Sequence, residues 1–279
     1  MNHRTWEWEP SAGQISFAQQ LIPDRTIQAS ILLIHGFGEH TSRYDHFAEF
    51  YASHDIQVLG FDLHGHGRSG GARGHIPTST TYFDEIDQFL INVNEQIENK
   101  PLFIYGHSMG GMIALSYVMQ RNPNFAGVIT TSPLIDTAKP MDTFTKKLAK
   151  FMDKILPKFS LDSGLDRSFL SKDKTVVDAY NADPLIFGKT STRLGSFMID
   201  QADYLRQNAS QFPLALLMMV GSEEKIVNKS EIDHFMTKVP SGTYKVWDGL
   251  YHELHNEPEK QEVFDYTLDW IRENLKSQS

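Results

Sequence analysis

A short apolar run that leads into the pattern Gly-x-Ser-x-Gly most constrains the fold of this chain. Residues Leu102 to Tyr105 are apolar or aromatic, as in a strand buried inside a parallel sheet. The pattern covers Gly106 to Gly110 with Ser108 at its centre, and apolar residues at helical spacing follow it. A serine on such a sharp strand-to-helix turn stands clear of the backbone, where a histidine can reach its hydroxyl. The stretch therefore predicts a nucleophilic serine; the alternative is an ordinary turn with a serine at its bend.

Short apolar runs alternate with helical patterns along most of the chain. This alternation predicts an α/β protein with a mostly parallel sheet that helices cover on both faces. Between residues 132 and 211 no convincing strand is predicted, and helical patterns with turns replace the alternation. We therefore predict a core domain formed by residues 1–133 and 212–279, with residues 134–211 inserted as a helical cap. Ligands bind beyond the carboxyl ends of parallel strands, so the cap is well placed to cover the site.

The composition excludes several classes of function. A formal net charge of −9 argues against general binding to nucleic acid. The absence of cysteine excludes thiolate chemistry, a disulfide framework and zinc–thiolate sites. The amino terminus has no apolar segment typical of a secretory signal, and no stretch approaches the ~20 apolar residues of a membrane span. We therefore expect a cytoplasmic protein.

A nucleophilic serine needs a histidine as its base and a carboxylate that orients this histidine. In hydrolases of this kind the acid and then the histidine follow the serine in the chain. His252 follows the last predicted strand, which places it at the same sheet edge as Ser108, whereas His234 lies in a helical pattern. Glu223 and Glu224 follow the preceding predicted strand, and Glu224 has the better spacing from the strand end. We predict His252 as the base and Glu224 as the acid; the alternative is that both carboxylates are solvated loop charges.

The tetrahedral intermediate of acyl transfer needs two backbone N–H donors, the oxyanion hole. One donor is expected from Met109, which directly follows the serine at the start of a helix. The other is expected from Phe37, because the loop His35 to Gly38 follows an earlier buried strand.

No cofactor or metal is predicted. The segment Gly65 to Gly70 matches the dinucleotide pattern Gly-x-Gly-x-x-Gly, but the loop continues beyond it instead of opening a helix. His252 and His255 could together bind a metal, but no third ligand with suitable spacing accompanies them.

Several stretches of the chain together resemble the monoacylglycerol lipase and lysophospholipase family of α/β-hydrolases. They are His35 to Tyr44, Phe61 to Gly70, Gly74 to Pro77, Gly106 to Gly111 and Tyr251 to Glu257. The resemblance begins near residue 30, extends to the end of the chain and is weakest in the insertion. It implies an α/β-hydrolase fold, with Ser108 as nucleophile, His252 as base, and Phe37 and Met109 as oxyanion donors.

The resemblance also implies a substrate pocket. In such lipases the residues that match Glu39, Arg43 and His255 lie near the pocket that receives the glycerol end of the substrate. The insertion matches their helical cap, which admits the acyl chain.

The acid departs from the family pattern. The pattern is Gly-x-x-Asp-x-Ile-Val, and this chain has Glu224 where the aspartate is expected. Glutamate is also an anion at neutral pH and is accepted in other hydrolase triads, so Glu224 remains the predicted acid. Glu223 and Asp136 are the alternatives.

The cap begins with an amphipathic stretch, Met141 to Leu156. Its apolar residues recur at helical spacing, and Lys146, Lys147, Lys150 and Lys154 fall largely elsewhere on the helix. A basic amphipathic helix in an acidic protein indicates transient contact with a membrane or micelle surface. The alternative is a cap helix whose apolar stripe packs on the protein.

Taken together, these features predict a serine hydrolase that cleaves monoacylglycerol, a small-molecule lipid ester, to fatty acid and glycerol. A lysophospholipase or a general short- to medium-chain carboxylesterase would use the same chemistry. An amide or peptide hydrolase and a non-catalytic binding protein of the same fold are further alternatives, because one fold hosts many functions.

Overall fold

A sheet of eight strands forms the centre of the computed structural model, which describes residues 1–276. Its strands are β1 (Asn2–Ser11), β2 (Gln14–Ile22), β3 (Ala29–Ile34), β4 (Ile56–Phe61), β5 (Leu102–His107), β6 (Gly127–Thr131), β9 (Leu216–Gly221) and β10 (Gly242–Trp247). They are ordered β1-β2-β4-β3-β5-β6-β9-β10. The strands from β3 onward in this sheet are parallel, and the amino-terminal hairpin β1–β2 adds to β4 in antiparallel fashion. The prediction of an α/β protein with a mostly parallel sheet is confirmed.

Helices cover both faces of this sheet. They are α1 (Asp45–Ser53), α2 (Thr81–Asn92), α3 (Asn94–Ile97), α4 (Met109–Arg121), α5 (Thr143–Ile155), α6 (Lys174–Ala182), α7 (Thr192–Asn208), α8 (Lys229–Met236) and α9 (Lys260–Lys276). Short 3₁₀ turns occur at Thr41–Tyr44, Arg167–Phe169, Ala209–Gln211 and Leu254–Asn256. Within residues 1–276 no helix combines the length and the apolar character needed to cross a bilayer.

Each buried strand contributes to two apolar layers, because successive side chains of a strand point to opposite faces of the sheet. In β3, Leu32 and Ile34 join the layer that includes side chains of α2 and α4. Ile31 and Leu33 join the opposite layer, which includes side chains of α1 and α9. Burial on both faces explains why the central strands appear in the sequence as continuous apolar runs.

The insertion between β6 and β9 contains α5, α6, α7 and a small two-stranded sheet. The expectation that this region holds no strand is wrong, since β7 (Ser160–Asp162) pairs with β8 (Lys189–Ser191) in antiparallel fashion. Both strands are short and β7 is exposed, so neither leaves an apolar pattern in the sequence. The predicted division into a core of 1–133 and 212–279 and a cap of 134–211 stays a prediction, and residues 277–279 lie outside the described part.

Candidate active site

Ser108 lies on the turn between β5 and α4. Its backbone has φ 53° and ψ −118°, a strained conformation for a residue with a side chain. The turn is also crowded: a Cβ on Gly106 would lie 2.4 Å from the carbonyl oxygen of Gly110, and one on Gly110 would lie 2.2 Å from that of Ile34. Glycine is therefore required on both sides of the serine. This strained and crowded turn has the geometry expected of a nucleophile elbow.

His252 and Glu224 form a buried pair beyond the ends of β10 and β9. His252 Nδ1 lies 2.7 Å from Glu224 Oε2. The other carboxylate oxygen of Glu224 accepts hydrogen bonds from the backbone N–H groups of Ile226 (2.7 Å) and Val227 (3.1 Å). These bonds fix the carboxylate, which leaves Nε2 of His252 as the ring nitrogen available to a serine.

The charges of the pair stabilise each other. Burial alone would raise the pKa of Glu224, but the charge and hydrogen bond of His252, with the two backbone N–H donors, lower it to about 2. Burial alone would lower the pKa of His252, but Glu224 raises it above its ordinary value. Glu224 is therefore ionised at neutral pH and favours the imidazolium that forms when His252 accepts a proton.

The two alternative acids lie elsewhere. The side chain of Glu223 is 53% exposed and faces Lys225 at 3.9 Å. Asp136 pairs with Arg206 at 3.4 Å. Of the three carboxylates considered from the sequence, Glu224 is the one that the structure brings to His252.

The backbone N–H groups of Phe37 and Met109 are the predicted oxyanion donors. Met109 is the first residue of α4, where N–H groups have no partner within the helix. In the loop after β3, the N–H of Gly36 donates to Glu39 Oε1 at 2.6 Å, so the next donor along the loop is that of Phe37. Phe37, Met109, Ser108 and His252 line one cavity.

This cavity has a volume of about 490 Å³, and residues of the insertion line part of it. Its catalytic end is polar, and apolar side chains from the insertion and nearby loops form most of the remaining wall. They are Leu134, Met141, Leu165, Phe169, Leu170, Met198, Ile226 and Val227. The insertion also holds the histidine loop, because the carbonyl oxygens of Phe169 and Leu170 accept the N–H groups of His252 (3.3 Å) and Glu253 (2.8 Å). The lining of the cavity, polar at Ser108 and His252 and mostly apolar elsewhere, suits an apolar chain with a polar end.

The three residues predicted near the glycerol end occupy different positions. Glu39 lines the cavity. Arg43 lies in the layer behind it, where its guanidinium binds the carboxylates of Glu39 and Glu253. His255 is fully buried and stacks on Tyr44 with ring centroids 4.4 Å apart. Glu253, which the sequence analysis did not single out, is the central partner of Arg43.

This fold and this arrangement of serine, histidine and carboxylate define the class of α/β-hydrolases. The family model described as serine aminopeptidase, S33 matches residues 25–259. The chain belongs to this family and, within it, to the group of the monoglyceride lipases. The resemblance to the monoacylglycerol lipase family and the predicted α/β-hydrolase fold are thereby confirmed.

Individual relatives support this placement. Monoglyceride lipase of Rattus norvegicus is 33% identical over 250 residues, covering 88% of this chain and 82% of the relative. Phospholipase YtpA of Bacillus subtilis is 33% identical over 245 residues, covering 86% and 93%. An abhydrolase domain-containing protein of Dictyostelium discoideum is 34% identical over 253 residues, and the match covers 89% of this chain but only 27% of that longer protein. The crystal structure of Paleococcus ferrophilus monoacylglycerol lipase superposes with a TM-score of 0.85 at 26% identity, covering 93% and 99%.

Proposed function

We propose that this protein hydrolyses monoacylglycerol to fatty acid and glycerol through an acyl-enzyme intermediate on Ser108. The observation that carries the proposal is the buried His252–Glu224 pair, whose histidine lines the same cavity as Ser108, beside apolar side chains. The similarity to the monoglyceride lipases of Rattus norvegicus and Homo sapiens supports the choice of substrate.

The proposed mechanism uses the four groups at the polar end of the cavity. His252 Nε2 takes the proton of the Ser108 hydroxyl while Oγ bonds to the ester carbonyl carbon. The N–H groups of Phe37 and Met109 stabilise the oxyanion of the tetrahedral intermediate. His252 then donates its proton to the leaving glycerol oxygen, and the ester bond breaks. His252 Nε2 then deprotonates a water molecule as its oxygen bonds to the acyl carbon, and it returns this proton to Ser108 Oγ as the acyl–enzyme bond breaks and the fatty acid leaves. The scheme requires no metal or cofactor.

The substrate is tested with a panel of monoacylglycerols, lysophospholipids and nitrophenyl esters, with Ser108→Ala as the control. We expect the highest kcat/KM with monoacylglycerol and no turnover above background in the variant. Lysophospholipid is the second candidate substrate, because the chain is similar to phospholipase YtpA. A higher kcat/KM with lysophospholipids than with monoacylglycerol would contradict the proposed substrate. If a fluorophosphonate does not label Ser108, the result would instead favour a non-catalytic binding protein.

We also propose that α5 places this enzyme transiently on lipid surfaces. Phe144, Leu148, Phe151 and Ile155 recur on one helix face and are between 48% and 76% exposed. The neighbouring Met141 is exposed too and lines the cavity, so the apolar face is continuous with the path to Ser108. A substrate that leaves a bilayer could follow this path without crossing water.

The charges of α5 contribute less to this contact than the sequence indicates. Lys146 lies 3.1 Å from Asp203 and Lys150 lies 2.5 Å from Asp200, and both acids belong to α7. Two of the four lysines of α5 therefore form ion pairs with α7. We propose that the apolar face supplies most of the binding.

The double substitution Phe144→Ser/Phe151→Ser tests this contact. Each exposed phenyl ring that leaves water on binding stabilises the bound state by about 1.5–3 kcal/mol, so binding to lipid vesicles should weaken at least about 10-fold. Hydrolysis of a short, soluble nitrophenyl ester should keep its wild-type rate, because neither side chain lines the cavity. Ile91→Ser, which removes an apolar side chain 68% exposed on α2, is the matched control. Unchanged vesicle binding in the double variant contradicts the proposal.

A further inference from the structure

A single guanidinium connects the two loops that carry the proposed machinery. Arg43 Nη1 and Nη2 donate to the two carboxylate oxygens of Glu253, at 2.7 and 2.6 Å. Nη1 also donates to Glu39 Oε2. Bidentate charge-assisted hydrogen bonds of this kind fix the relative orientation of the groups they join. Arg43 thus ties the loop after β3 to the loop after β10.

Each of the two carboxylates lies next to a proposed functional group. The remaining oxygen of Glu39 accepts the N–H of Gly36 at 2.6 Å, and Gly36 directly precedes the oxyanion donor Phe37. Glu253 directly follows His252 in the chain. A displacement of Arg43 would therefore be transmitted to the oxyanion donor on one side and to the histidine on the other.

The connection is buried and specific in its geometry. The side chains of Arg43, Glu39 and Glu253 are 10%, 3% and 2% exposed. Tyr44 OH donates to Glu39 at 2.7 Å, and Asn256 Nδ2 donates to Glu253 at 2.8 Å, so each carboxylate has further partners that hold it. The ring of Tyr180, from the insertion, lies 4.7 Å from the guanidinium carbon. Buried polar groups that are fully paired in this way specify one arrangement of the chain.

We infer that Arg43 is a positioning residue that holds the oxyanion donor Phe37 and the base His252 at the correct mutual distance. The inference rests on the proposed function of Ser108 and His252. It differs from a direct contact of Arg43 with the glycerol end of the substrate. A substrate contact acts on binding of the glycerol group, whereas a positioning residue acts on the chemical step for every ester.

Kinetics with two esters separate these roles. We expect Arg43→Lys and Arg43→Gln to lower kcat by about 10- to 100-fold, and by the same factor for monoacylglycerol and for a nitrophenyl ester without glycerol. KM should change little, because neither variant removes a group that touches the substrate. Arg121→Gln is the matched control: Arg121 also pairs with two carboxylates, Asp84 and Asp87, but at the surface. A loss confined to the glycerol ester, or a rise in KM alone, overturns the inference.

The pKa of His252 provides a second readout that needs no turnover. The titratable groups around this ring are Glu224, Glu253, Glu39, His107 and His255, and the three carboxylates favour its charged form. Arg43→Gln leaves Glu39 and Glu253 without their counter-charge, so the pKa of His252 should rise. Arg43→Lys keeps the charge and should leave the pKa near the wild-type value even though kcat falls.

This pKa is measured by NMR titration of the imidazole in a Ser108→Ala background, with each variant folded as judged by its thermal transition. Because the titration needs no turnover, it stays informative even if the proposed substrate is wrong, and the two failures can be distinguished. An identical pKa and an unchanged kcat in Arg43→Gln, with only a lower Tm, would show that Arg43 contributes stability alone and would overturn the inference.

Discussion

Replacement of Ser108 by alanine is expected to lower kcat for monoacylglycerol by about 10⁶-fold. The substitution removes the oxygen that bonds to the ester carbonyl carbon and leaves the cavity, the oxyanion donors and the His252–Glu224 pair in place. Alanine meets the same positive φ at this turn as serine does, so the backbone strain is unchanged. Steady-state hydrolysis, followed by release of fatty acid, measures the loss.

A matched control separates this effect from damage to the helix that carries the serine. Ser116 is fully buried on the same helix, α4, but outside the lining of the cavity. Ser116→Ala should keep kcat near the wild-type value, because its side chain lies outside the lining of the cavity. Substantial turnover by Ser108→Ala would contradict the assignment of the nucleophile.

The second large effect is expected for Glu224→Gln, which should lower kcat by about 10⁴-fold. The amide is nearly isosteric but has no charge, so it no longer stabilises the imidazolium of His252 or fixes the ring tautomer. Glu223→Gln and Asp136→Asn are matched controls, because both remove a carboxylate that lies away from His252. Near wild-type turnover by Glu224→Gln would exclude it as the acid.

The pH dependence of the residual activity shows whether Glu224 raises or lowers the pKa of His252. His252 must be neutral to accept the serine proton, so kcat/KM falls as the pH drops through the pKa of His252. Glu224 raises this pKa, and its removal should move the acid limb of the profile to lower pH. Arg43→Gln should move the same limb to higher pH. Measured in one buffer series, the opposite shifts of the acid limb in Glu224→Gln and Arg43→Gln distinguish the acid that pairs with His252 from the positioning residue.

Local patterns explain why much of the fold could be predicted from the sequence. The buried strands β3, β5 and β9 are continuous apolar runs, and the crowded turn at Ser108 requires glycines at fixed positions around the serine. The order of serine, acid and histidine along the chain then points to the loops after β9 and β10. Glu224 and His252 could be predicted because each lies in the loop that directly follows one of these strands.

Contacts between distant segments could not be predicted in this way. Glu253 lies 210 residues from Arg43, and no periodicity or motif in the sequence indicates that the two side chains pair. The pairing of Lys146 with Asp203 likewise depends on how α5 packs on α7. The strands β7 and β8 escaped prediction because short, exposed strands lack an apolar pattern. Such features depend on the tertiary packing more than on local sequence.

The central claim is that Ser108 carries the acyl group during turnover. Mass spectrometry of the intact protein after rapid acid quench with monoacylglycerol, followed by peptide mapping, tests it most directly. We predict one added acyl group on the peptide that contains Ser108, and none in Ser108→Ala. Hydrolysis of monoacylglycerol with no adduct even after fluorophosphonate treatment, or an adduct on a different residue, would contradict the account.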